Sequence, residues 1–105
     1  MTVSDVSPHP LRSLTATDRM RISWFRSHRL LGRDGGHQIW ALEALCAMAD
    51  DPVAVDVFDF DGTFEHDGTI QATHVITTAG LQPACDWHLS HDGHTWALDS
   101  LRPAG

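Results

Sequence analysis

The residues best placed for chemistry lie in Ala84–Leu101, ACDWHLSHDGHTWALDSL, where His88, His91 and His94 recur at three-residue intervals. Asp92-Gly93 in the middle favours a tight two-residue hairpin turn, because both turn positions need φ > 0. Folding about that turn pairs His91 with His94, Leu89 with Trp96, Trp87 with Leu98 and Cys85 with Ser100. Side chains alternate along a strand, so these share one face, while Asp86, His88, Ser90, Thr95, Ala97 and Asp99 share the other. The register therefore separates His88 from His91 and His94, and the three cannot converge on one ion. A metal site would need His91 and His94 completed by His66, Glu65 or another chain. No resident metal or cofactor is expected.

Asp86 and Asp99 fall opposite each other on the polar face, and like charges so placed are destabilising unless a cation lies between them. An arginine of the protein, a basic partner, or a shared proton would each resolve the clash, the last raising one pKa as general acid/base work requires. The cations are concentrated early: residues 1–33 hold six Arg against two Asp, whereas residues 34–105 hold twelve acids and only Arg102. A helix expected over about 16–31 would carry Arg19, Arg26, Arg29 and Arg33 as one stripe and Met20, Trp24 and Leu31 as another. Such a stripe beside Trp24 and Phe25 fits phosphates and stacked bases, but the net charge of −7 opposes nucleic acid. The chain has no lysine, which removes Schiff-base, P-loop and Ser-Lys chemistry.

Val55–Thr63, VDVFDFDGT, resembles the first motif of haloacid-dehalogenase-type phosphatases. The resemblance would make Asp59 a nucleophile and Asp61 its acid/base partner, with Mg²⁺ between them and a phosphate. The 42 residues after Thr63 contain no lysine and read as strands and turns, so the reading is rejected. Asp59, Asp61, Glu65 and Asp67 do not meet the calcium-loop spacing and are expected in a solvated acidic loop. His74 is expected on the core side of a strand, and no Ser-His-Asp or Cys-His set stands out.

These residues need positioning elements. At 105 residues, 42 % apolar, the chain suits one domain burying roughly two-thirds of its unfolded surface. The expected organisation is a flexible arm over 1–14 and a single α+β domain over 15–105. Thr15 and Asp18 form a potential capping box for the first helix. Gly32–Gly36 links to a second helix over His37–Ala49, ended by Asp50-Asp51-Pro52. Val53–Phe60 and Thr69–Thr78 then read as strands, and with the hairpin they give an antiparallel meander of about four strands, the helices packed on one face. Cys46 and Cys85 are expected as separate buried thiols. The first ten residues lack the basic start and apolar segment of a signal peptide, and there is no long apolar run, which makes a cytoplasmic location the default.

Helix first, then a meander ending in Asp92-Gly93-His-Thr-Trp96-Ala-Leu98-Asp-Ser-Leu101, resembles the end of NTF2-like (SnoaL-like) domains, loosely over residues 37–102. That resemblance implies either an apolar pocket for isomerase, cyclase or dehydratase chemistry or a non-catalytic binding module. Two functions follow. The first is a small acidic, non-catalytic binding protein of inhibitor, immunity or bacterial or phage accessory type, docking a basic partner or a second copy through Asp86, Asp99 and the arginine stripe. The second is an NTF2-like pocket enzyme acting on a neutral substrate through Asp86, Asp99, His74 or His91.

Overall fold

A computed structural model describes residues 10–103. Its centre is a five-stranded antiparallel sheet in the order β3-β2-β1-β6-β5, formed by β1 (Ile22–Gly32), β2 (Gly36–Cys46), β3 (Ala54–Gly62), β5 (His88–Leu89) and β6 (Thr95–Leu98). A separate pair joins β4 (Leu81–Pro83) to β7 (Leu101–Pro103). Two helices, α1 (Ala16–Arg21) and α2 (Thr69–Thr78), complete the α+β architecture.

Alternation sorts the sheet into two faces. Phe25 and Ser27 of β1 pair with Ala44 and Leu42 of β2 and with Leu98 and Trp96 of β6. Across β3 the same face continues through Phe58 and Phe60, opposite Trp40 and Gln38. This is the core side, where Leu11, Leu14, Phe64, Ala72 and Ile76 are packed against the sheet residues. The opposite face carries Trp24, Arg26 and His28, then Ile39, Ala41 and Glu43, then Val55, Val57 and Asp59. No helix covers it, and Val57 and Leu31 are 60 % and 64 % exposed. Ser27 and Gln38 are the polar residues fully enclosed on the core side, and both are satisfied. Ser27 Oγ donates to the Ala41 carbonyl at 2.6 Å, and the Gln38 amide donates to the Gly62 carbonyl while accepting from Trp40 Nε1 at 2.9 Å.

The expected helices over 16–31 and 37–49 are corrected. The capping box forms as expected: Thr15 Oγ1 accepts from the Asp18 N–H at 3.1 Å, and Asp18 Oδ2 accepts from the Thr15 N–H at 3.3 Å. The helix stops at Arg21, where Ile22-Ser-Trp-Phe begins a run in which bulky residues gain more from a half-buried sheet than from helix. β2 buries Leu42, Ala44 and Leu45 completely and Ala41 almost so, shielded on the open face by side chains of its neighbours β1 and β3, as in an interior strand. Its Ala- and Leu-rich run reads equally as a buried helix until its neighbours are known. At Gly32 the chain turns with φ +97°, and an added Cβ would lie 2.4 Å from the His37 carbonyl oxygen, so only glycine fits.

Thr69–Thr78 reverses the opposite way, from expected strand to helix. Its β-branched residues favour a strand, yet Ala72, Ile76 and Ala79 are the ones buried, at spacings of four and three. Thr69 Oγ1 and Thr77 Oγ1 bond back to the Glu65 and His74 carbonyls, the device that lets threonine sit in a helix. The octet after β3 is not a solvated loop throughout, because Phe64–Gly68 forms a π-helical turn that leads into α2 and buries Phe64. Of the expected arm over 1–14, residues 1–9 lie outside the described residues, while Leu11 and Leu14 belong to the core. The hairpin register holds at His88↔Ala97 and Leu89↔Trp96. Its turn is wider than expected: the Ser90 N–H donates to the Thr95 carbonyl at 2.7 Å, which leaves His91–His94 as a four-residue loop. Cys46 and Cys85 are unpaired thiols, and neither is buried as expected: Cys46 is half-buried and Cys85 exposed.

Gly68 marks a close approach of the π-turn to the sheet. An added Cβ would lie 2.5 Å from Phe64 and 2.8 Å from Phe60 ring atoms. Gly68→Ala should therefore cost about 1–3 kcal/mol through overpacking. Urea unfolding should show the lower midpoint with an unchanged slope.

Candidate functional site

Two clefts meet at a shared wall. One, of about 670 Å³, lies between the β1–β2 end, the turn Thr63–Glu65 and the tip of the β5–β6 hairpin. The other, of about 570 Å³, lies between α2 and the segment Pro83–Trp87. Glu65 and Trp96 line both, so the two clefts adjoin as a two-part groove.

The groove is floored by aromatic rings because the π-turn drives Phe64 against the sheet. Phe64 stacks on Trp40 at 4.4 Å between ring centres and meets Trp96 at 5.3 Å and Trp87 edge-on at 5.5 Å. These separations lie in the favourable range for offset and edge-to-face pairs. Trp87 is further held by its Nε1–H, which donates to Thr73 Oγ1 of α2 at 3.4 Å. The half-buried faces of Trp87 and Trp96 are what the groove presents to a ligand.

The rim is acidic. Asp34 is bound to Arg29 at 2.8 Å, which cancels both charges. Glu65 and Asp86 are exposed and have no ion-pair or hydrogen-bond partner for their carboxylates among the described residues. His28 and His94 also border the first cleft. At the hairpin tip, Asp92 accepts from the His94 and Thr95 N–H groups at 2.8 and 2.9 Å and from Thr95 Oγ1 at 2.8 Å. These bonds, the His94 N–H first, hold its carboxyl below the ordinary value of 3.8.

The residues singled out in the sequence are dispersed. The arginine stripe does not form, because β-strand alternation and the β1–β2 turn replace the helix that would have aligned it. Arg19 sits in α1, its Nη1 donating to the Leu14 carbonyl at 3.0 Å. Arg26 lies on the uncovered sheet face, bound to Glu43 and 5.8 Å over the Trp24 ring. Arg29 lies on the groove side, and Arg33 is exposed at the β1–β2 turn. No arginine pairs with Asp99; His88 does, at 3.0 Å. Asp86 lies beyond the end of the hairpin ladder and lines the groove, so only Asp86 of that expected carboxylate pair belongs to the site. His74 is exposed on α2 rather than on a core-facing strand, and His91 is exposed in the hairpin loop. Asp59 and Asp61 lie on the outer face of the edge strand β3, where His37 reaches them at 3.4 and 2.9 Å. An antiparallel edge strand ending in a π-turn is not the parallel strand and helix that a phosphatase motif requires. No group of three or more His, Cys, Asp or Glu residues among the described residues is placed to hold a metal ion, and no described helix is long and apolar enough to cross a membrane.

Phe64 was missed as a site residue, and Glu65 was weighed only as a metal ligand. The available signal was Phe64 itself, a large apolar side chain in the middle of an acidic octet, which had to be buried somewhere. No family model, curated protein or solved structure matches this chain.

Asp92 makes the hairpin tip sensitive to acid. Its folded-state pKa is lowered, so its contribution is complete above pH about 3.8 and is lost as pH falls through the folded value. Asp92→Ala should lower the thermal midpoint at pH 7. The gap from the parent should close as both are acidified toward pH about 2. A gap independent of pH would assign the loss to packing instead.

Proposed function

We propose that this chain is a small acidic binding protein whose groove docks a basic, extended segment of a protein partner. The observation that carries the reading is that two carboxylates without a partner among the described residues, Glu65 and Asp86, line the same cleft as the half-buried Trp87 and Trp96. A guanidinium or ammonium head gains from the carboxylates and from the ring faces together, and its apolar stem gains from the same rings. The overall charge of −7 adds long-range attraction for a cationic partner and repels nucleic acid.

The pocket-enzyme alternative draws less support. Such an enzyme needs an enclosed apolar cavity with a few convergent polar groups. On the covered side of the sheet that space is taken by Trp40, Phe58, Phe60 and Phe64, all buried. Asp99, His74 and His91 are exposed and lie outside the groove.

A test uses an unstructured peptide alternating Arg and Gly, with a citrulline-for-arginine peptide as the uncharged control. Isothermal titration should show binding of the Arg peptide alone, weakening as salt rises. Glu65→Gln with Asp86→Asn should reduce affinity roughly three- to thirtyfold, the range for two solvent-exposed charge pairs. Asp99→Asn, on the other face, should leave it unchanged. Equal binding of both peptides, or an unaffected double variant, would contradict the groove as the docking site.

A further inference from the structure

A second cleft, sharing no residue with the groove, has the opposite character. It measures about 490 Å³ and is walled by Met20, Ile22, Leu81 and Leu101, with Arg19 and Arg102 as its only charged lining. Three of the other arginines are matched to acids: Arg21 to Asp18, Arg26 to Glu43 and Arg29 to Asp34. Arg19 and Arg102, like Arg12 and Arg33, have no acidic partner among the described residues. In a chain of net charge −7, two unmatched guanidiniums beside one apolar cleft need an account.

We infer that this cleft binds a monocarboxylate carrying an apolar tail. Arg19 is held ready for it. One guanidinium N–H donates to the Leu14 carbonyl, and the side-chain stem runs beside Gly80, where an added Cβ would lie 3.2 Å from Arg19 Cδ. Gly80 follows the C-terminal end of α2, whose partial negative charge favours a cation there. The Val75, Ile76 and Thr77 carbonyls at that helix end are met by the Ala79 and Gly80 N–H groups, and the Leu14 carbonyl is the one hydrogen-bond partner of the Arg19 guanidinium among the described residues. The Arg102 backbone is held in the ladder opposite Gln82, and its side chain is exposed. Planar guanidiniums match a carboxylate through paired N–H donors, and the apolar walls take the tail. The field of the acidic protein disfavours more highly charged anions such as phosphate.

The probes are decanoate, decanol with the same tail and no charge, and acetate with the charge and no tail, titrated against the whole protein. Decanoate should bind saturably and shift the Gly80 and Leu81 amide resonances, with decanol and acetate at least about tenfold weaker. Arg102→Gln should weaken decanoate about tenfold. Arg19→Gln should do the same, with circular dichroism confirming that loss of the Leu14 contact has not unfolded the chain. Decanol binding as well as decanoate, decanoate affinity indifferent to both substitutions, shifts confined to other regions, or no binding would each overturn the inference. None of these results bears on the groove.

Discussion

Phe64 is the contact on which the structure turns. It is the one ring that touches the sheet, through Trp40, Phe58 and Phe60, and also both tryptophans of the C-terminal segment, Trp87 and Trp96. The π-turn that presents it is closed by Thr63, whose hydroxyl accepts from the His66 N–H, and by Asp67, whose carboxylate accepts from the Thr63 N–H at 3.1 Å. That turn sets the start of α2 and hence the depth at which Ala72 and Ile76 enter the core. The groove is a consequence of the same packing. Where Phe64 anchors the two tryptophans from behind, their outer faces are left for a ligand, and Glu65, the next residue, stands at the junction of the two clefts.

Charge follows the same division. On the uncovered sheet face the ionisable groups find partners within the protein: Arg26 with Glu43, His37 with Asp59 and Asp61, His88 with Asp99. Exposed pairs of this kind add little stability, but they leave few charges on that face available to a partner. On the groove side Glu65 and Asp86 stay unmatched, while Arg19 and Arg102 stay unmatched at the cleft near α1. Of the basic start and the acidic remainder of the sequence, Arg26–Glu43 and Arg29–Asp34 are the arginine pairs that join the two among the described residues.

What could be read beforehand depended on whether the signal was local. The Thr15/Asp18 capping box and the Leu89↔Trp96 register are set by residues within a few positions of each other, and both are present. The register also separated His88 from His91 and His94, although the wider turn then put the latter two in a loop. The three element reversals have a common cause. Residues 22–31, 37–46 and 69–78 are ambiguous runs whose state is decided by tertiary neighbours. Once β1 and β2 take the centre of the sheet, the core-facing aromatics need a cover, and the short, β-branched 69–78 segment supplies it as a helix despite its propensity. The arginine stripe was an artefact of the helix assumed for it. Asp86 lines the groove, but the clash expected for it does not occur, since Asp99 has His88 instead.

The four tryptophans offer the most direct test of the groove, because their indole N–H groups report from different places. Trp87 and Trp96 border the groove and Trp40 lies in its floor with its N–H committed to Gln38, whereas Trp24 lies outside it with its N–H on the Cys46 carbonyl. In a protein labelled with ¹⁵N at tryptophan, an Arg-rich peptide should move the Trp87 and Trp96 indole signals along one saturable curve and leave Trp24 in place. Movement of Trp24 instead, equal movement of all four, or none at all would contradict the account.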